Sequence, residues 1–365
     1  MKKTFSFCLI ILLLLCITPA KSQNLAIFSD YLNHVFIFDD GEIKHVEHLP
    51  VRSYKVGNNA IAYEDNAGTF KIYHNNYLHT ASNFVSEYIV TNNLIAFRMN
   101  KQLSVFDNGS IRTLGISAPH WTVNEDVVVW YDDLDKKLNA YYQEEIFELD
   151  DALAAQEISE FQAGKNLIVY TDTRNNVNIF YKGEIFDVFF KDRKKSIKAG
   201  KDIAAFVEDP MNNFQVFYKG EFIEIESFEP LSYLVSDEFV VYEDHSNYLK
   251  IFSDYEVTTI SFYSPNFYEA KDQLVVYGVQ NYFKVYYNGN EYTLENFIPE
   301  KYFFNNNVVV YLDQHGNLKY FQDGKTEIIS YESLTDFELQ GNCVKYSFGV
   351  RSENIYSNGR TYKND

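Results

Sequence analysis

Six carboxylates recur along this 365-residue chain at one repeated place, two residues past an aromatic side chain: Asp65, Asp132, Asp172, Glu208, Asp244 and Asp313. Asp30 holds the same position, and Asp150 and Asp151 open a separate insertion, Asp150-Asp151-Ala152-Leu153-Ala154-Ala155-Gln156-Glu157. Carboxylates gathered on one surface could act as acid and base in glycoside hydrolysis, ligate a hard cation, or dock a partner. Calcium ligation needs a spaced, wrapping loop, and neither Asp132-Asp133-Leu134-Asp135 nor Glu64-Asp65-Asn66 has that spacing. The other metal-ligating types are two histidine pairs, His45 with His48 and His74 with His79. Residues three apart on a strand face opposite sides, so His45 and His48 share an ion only if the chain turns between them. The expectation is surface histidines, no metal and no cofactor.

Nucleophilic chemistry finds no support. There is no Gly-x-Ser-x-Gly elbow and no α/β stretch to carry one. The Ser-x-Asp-x-Gly-x-x-Trp box of sialidase-like repeats is missing, and Trp121 and Trp130 are too few for the tryptophan docking of quinoproteins. These absences point away from an enzyme.

The start of the chain gives an address. Lys2 and Lys3 precede a mostly apolar run from Phe5 to Ile17, and Ala20-Lys21-Ser22 is a small-x-small cleavage site, so residues 1–22 are expected to be an export signal. No later segment approaches the roughly 20 apolar residues of a spanning helix. Export implies a periplasmic or secreted product. Cleavage would remove Cys8 and Cys16, leaving Cys343 without a disulfide partner, and would remove three lysines and no acid from a net charge of −19. So acidic a chain repels nucleic acid and anionic lipid. With 46% hydrophobic and 17% aromatic residues it has ample material for a core.

The elements that position the acids follow from the aromatic before each one. Phe28, Tyr63, Phe97, Trp130, Tyr170, Phe206, Tyr242, Tyr277, Tyr311 and Tyr346 are spaced by 35, 34, 33, 40, 36, 36, 35, 34 and 35 residues, which defines ten copies of one unit. Each marker ends a strand apolar at nearly every position, such as Leu167-Ile168-Val169-Tyr170, and such a strand is covered on both faces. We label it B. A strand A precedes it, with apolar residues nine and seven positions before the marker. Strand C alternates, as in Phe70-Lys71-Ile72-Tyr73, and closes on a Gly turn, for example at Gly41, Gly183 or Gly289, into a weaker strand D. The paired aromatics ending strand C, such as Tyr141-Tyr142, Phe180-Tyr181 and Phe217-Tyr218, should send one ring between units and the other outward.

A four-stranded antiparallel unit whose second strand needs cover on both faces must stack on its copies, and radial stacking gives a β-propeller. The expected fold is all-β, a propeller of about ten four-stranded repeats of about 35 residues over residues 23–365, beginning with a unit that lacks strand A. The alternatives are two five-unit rings, which would need a midpoint linker that is not seen, and an open stack that does not close. The order of apolar strand, Asp-containing turn, alternating strand, Gly turn and weak fourth strand resembles the WD-like blades of the TolB family and other exported bacterial propellers. Gly57-Asn58-Asn59, Thr91-Asn92-Asn93 and Gly164-Lys165-Asn166 stand where those blades carry Ser-Pro-Asp-Gly.

In such a meander the B–C and D–A connections share one face. That face carries Asp65, Asp132, Asp172, Glu208, Asp244, Asp313, Asp150 and Asp151, and loops on a rigid scaffold are where function concentrates. The expected function is non-catalytic binding of a protein or cell-envelope partner through this face. The competing readings are a glycan-binding or glycan-cleaving propeller and a structural surface protein.

Overall fold

The computed structural model describes residues 24–151, 160–174, 176–188, 197–208, 211–349 and 352–363. The expected leader, residues 1–22, and most of the insertion after Asp151 lie outside the described residues. The first sheet has three strands, β1 (Leu25–Ser29), β2 (Val35–Asp39) and β3 (Glu42–Glu47); the second has four, β4 (Ser53–Val56), β5 (Ala60–Glu64), β6 (Phe70–His74) and β7 (Tyr77–Ser82). β8–β35 repeat that order through residues 87–330. The last sheet is β36 (Leu334–Gln340), β37 (Cys343–Phe348), β38 (Ser352–Ser357) and β39 (Arg360–Lys363). Each sheet is an antiparallel meander in chain order, and we call the sheets blades 1 to 10. The described residues contain no helix.

Every B strand is buried as its composition requires, and no marker aromatic is more than 4% exposed. Ten apolar clusters each join two neighbouring blades. One packs Leu25, Ile27 and Ile37 of blade 1 on Ile61 and Tyr63 of blade 2, and another packs Ala26, Phe28 and Phe38 of blade 1 on Cys343 and Ile355 of blade 10. Ten blades joined by ten interfaces form one closed ring, which replaces the alternative of two five-unit rings. The A strands of successive blades touch one another, as in β4 against β8 (Glu87–Val90) and β32 (Tyr302–Asn305) against β36, so the A edges converge on the axis and the D edges point outward.

The paired aromatics of strand C depart from expectation. Tyr141 and Tyr142, Phe180 and Tyr181, and Phe217 and Tyr218 are buried as pairs. Both faces of a blade are covered by its neighbours, so alternation along the strand exposes neither ring. Tight C–D turns set the blade edges. Asp40-Gly41 and Asn108-Gly109 take positive φ at both positions, the type I′ geometry in which glycine relieves strain.

Candidate interaction face

The recurrent acids first serve their own loops. One oxygen of Asp65 accepts from the N–H groups of Ala67 and Thr69 at 2.9 and 2.8 Å; Asp244 holds Ser246 and Tyr248, Asp313 holds His315 and Asn317, and Asp172 holds Arg174 and Asn176 in the same way. Such Asx turns satisfy loop N–H groups as the chain reverses from strand B to C. Asp132 accepts from Leu134 N–H at 2.9 Å, and Glu208 from the Gln215 amide. Asp150, at the end of a D strand, reaches the next blade and accepts from Thr173 N–H at 2.8 Å. Asp151 lies in the same strand, and its side chain is outside the described residues.

The second carboxylate oxygen exposes a device that motif reading missed. Lys71 Nζ stands 2.6 Å from Glu47 of the preceding blade and 3.0 Å from Asp65 of its own, while the Tyr63 hydroxyl donates to the same Glu47 at 2.9 Å. Lys250 repeats this with Glu226, Asp244 and Tyr242, at 2.8, 2.9 and 2.8 Å respectively for Lys250–Glu226, Lys250–Asp244 and Tyr242–Glu226. Lys319 joins Glu295 at 2.5 Å and Asp313 at 3.8 Å, with Tyr311 on the same glutamate. The signal was present in the sequence: Glu, Tyr, Asp and Lys follow one another at the same offsets in all three places. Burial alone would raise Asp65, but the Lys71 ammonium and the Thr69 N–H outweigh it and hold the carboxyl below its ordinary range. Asp244 and Asp313 are lowered against burial by equivalent bonds. These acids therefore stitch blades together, and the single role expected of them divides into loop closure and presentation of what stands beside them.

Beside them on the same face stand exposed apolar side chains. Leu49, Phe84, Ile116, Phe262, Tyr263 and Tyr331 occupy D–A loops, with Ile116, Phe262 and Tyr331 exposed by 70, 68 and 77%. Sequence reasoning passed over them because hydrophobic loop residues have no periodicity to mark them.

The opposite face is closed. Its A–B turns are joined around the axis by bonds from blade to blade: Asn58 N–H to Asn92, Asn92 N–H to Glu125, Asp126 N–H to the Lys165 carbonyl, Lys165 N–H to Gly200, Lys201 N–H to Ser236, and Asp237 N–H to Asp272. Asn306 completes the circuit through Asp272, Asn342 and Asn58. Turns this close require Gly57, Gly164 and Gly200; a Cβ on Gly57 would lie 2.1 Å from the Thr91 carbonyl oxygen. Lys165 reaches across the axis to Asp272, three blades away, and to Asp237 at 2.8 Å. Burial pushes the carboxyls of Asp237 and Glu125 upward.

The fold and its sequence define a class. A family model described as a ten-bladed β-propeller domain matches residues 19–362, and the chain belongs to that family. A search of curated proteins finds no match. Among solved structures, the chain is similar to the computationally designed protein Ika8 (14% identity, TM-score 0.34, 74% of this chain and 95% of that one). It is similar also to Prp20p from Saccharomyces cerevisiae (8% identity, TM-score 0.33, 57% and 76%) and to the CRINKLY WD40 ectodomain of the receptor kinase ACR4 from Arabidopsis thaliana (9% identity, TM-score 0.33, 66% and 96%). Likeness at this level carries no argument about partners.

Proposed function

We propose that this ten-bladed propeller is an exported, non-catalytic scaffold that binds a protein or cell-envelope partner through the face bearing its B–C and D–A loops. The observation that carries the reading is the set of exposed apolar side chains on the D–A loops, Leu49, Phe84, Ile116, Phe262, Tyr263 and Tyr331. Large apolar groups held in water on a rigid frame favour removal from water by a partner. The loops of that face differ in sequence and length from blade to blade, whereas the C–D turns of the other face are short and repetitive and its A–B turns are bonded to one another. Export, to the periplasm or the medium, rests on the positive start, apolar run and cleavage site of residues 1–22.

The test keeps the acids intact, because changing Asp65 or Asp244 would loosen the loops themselves. Phe262→Ser, Tyr263→Ser and Tyr331→Ser are combined in one variant, and Tyr77→Ser with Tyr255→Ser, near C–D turns, in another. Retention of envelope components by the immobilised chain should fall in the first and persist in the second. The reverse pattern would move the interaction to the other face.

A further inference from the structure

Three histidines of blade 1 meet at the loop face. The ring centres of His45 and His48 are 4.3 Å apart, and His34, from the B–C loop, lies 5.5 Å from His45 and 5.9 Å from His48. The condition read from the sequence, a turn of the chain between His45 and His48, is met by a β-bulge. Val35 pairs with Glu47 but Phe36 pairs with His45, so Val46 is an extra residue that reverses the alternation.

Oxygen acceptors beside the rings fix which nitrogens carry the lone pairs. Asp30 Oδ2 sits 2.9 Å from His34 Nδ1, and the carboxylate accepts that N–H, leaving the lone pair on His34 Nε2. The Glu47 carbonyl, 3.0 Å from His45 Nε2, can only accept, which puts the proton there and the lone pair on His45 Nδ1. Oxygen acceptors that orient imidazoles in this way accompany metal-ligating histidines. With zinc–nitrogen bonds of about 2.0–2.1 Å, imidazoles sharing one tetrahedral ion have ring centres about 5 Å apart, the scale of this cluster. Among the described residues no group of three or more His, Cys, Asp or Glu side chains is already placed to hold a metal ion. His48 is exposed, so its ring can turn onto an ion while His34 and His45 keep the bonds that orient them.

We propose that His34, His45 and His48 form a site for a divalent transition-metal ion of the zinc type, with Asp30 as the positioning carboxylate and water in the fourth position. The site stands independently of the partner-binding reading. Three nitrogen donors select such an ion over calcium or magnesium, which prefer oxygen.

The test is calorimetric titration of the metal-free full chain with Zn2+, repeated with Ca2+. The expected result is one Zn2+ per chain, no uptake of Ca2+, and affinity at least tenfold weaker in His45→Gln and in His48→Gln. His79→Gln, in blade 2, should leave it unchanged. Asp30→Asn keeps an oxygen for the Leu32 and His34 N–H groups but removes the charge behind His34, and should weaken binding by about 10–100-fold. X-ray absorption of the loaded chain should count three imidazole nitrogens. Failure to take up Zn2+ at micromolar concentrations, or uptake indifferent to His45→Gln and His48→Gln, overturns the proposal. Because both variants are at exposed positions, thermal melts matching the parent chain would exclude misfolding as the cause of lost binding.

Discussion

The side-chain carboxamide of Gln340 bonds both backbone groups of Ile27: its oxygen accepts from Ile27 N–H at 2.8 Å and its nitrogen donates to the Ile27 carbonyl at 3.2 Å. Ile27 lies on the β1 edge where the other blades have a strand A, and its groups would otherwise be buried without partners. Next along that edge, Ser29 N–H is taken by Glu353 at 2.6 Å. Blade 10 thus supplies, through two side chains, the bonds that a missing strand would make, and the ring closes.

Gln340→Leu keeps the volume and removes both bonds. At about 1–3 kcal/mol for each of the two buried polar groups left unpaired, the loss should be about 2–6 kcal/mol by chemical denaturation. The amide proton of Ile27 should exchange far faster, and those of blade 5 should not. Unchanged exchange at Ile27 would mean that closure rests on apolar packing alone.

Lys165→Met should be the most damaging change on the closed face. It leaves Asp237 and Asp272 facing each other with Glu125 nearby, and breaking a buried ion pair costs about 3–5 kcal/mol. The loss should shrink on acidification, because burial already pushes Asp237 and Glu125 upward and a carboxyl so raised gains folded-state stability as pH falls toward its unfolded value. Melting temperatures of parent and variant should draw together as pH falls from neutrality toward about 4, the unfolded carboxylate value. A constant gap would remove the repulsion argument.

The blade-stitching acids respond with the opposite sign. Asp65, Asp244 and Asp313 are held below their ordinary values, so their contribution is complete above about pH 4, the unfolded carboxylate value, and disappears as pH falls through the lowered folded values. Lys250→Met should cost about 1–2 kcal/mol at neutral pH, between exposed and buried pairs, and the difference should narrow below pH 4. Urea titrations of parent and variant at pH 7 and pH 3 read this directly.

Tyr170→Ala should cost about 3–5 kcal/mol, as loss of a buried aromatic does. The ring is 2% exposed and its hydroxyl donates to the Leu149 carbonyl at 3.2 Å. A change below 1 kcal/mol by denaturant titration would contradict its place in the core.

What was legible in the sequence was what repeats. Tyr170 and its nine counterparts mark a strand buried on both faces, and burial acts on every unit alike, so blade number and strand order could be read from spacing. The acids that follow the markers stand where strand B ends for the same reason. Their engagement was hidden because it couples neighbours: Glu47 meets Lys71 only when one blade lies on the next. Closure was less visible still, since Gln340 and Ile27 stand at opposite ends of the chain and nothing in a glutamine announces a backbone partner. The approach of His45 to His48 depends on a bulge at Val46, which the sequence could state only as a condition.

Photo-crosslinking reads out whether a partner docks on the D–A loop face. A photoreactive phenylalanine analogue is placed singly at Phe262, Tyr331, Tyr77 and Tyr255 of the full-length chain, which is expressed in its own host and irradiated before lysis. Positions 262 and 331 should give a discrete higher-mass adduct, and positions 77 and 255 none. Adducts confined to 77 and 255 would contradict docking on that face.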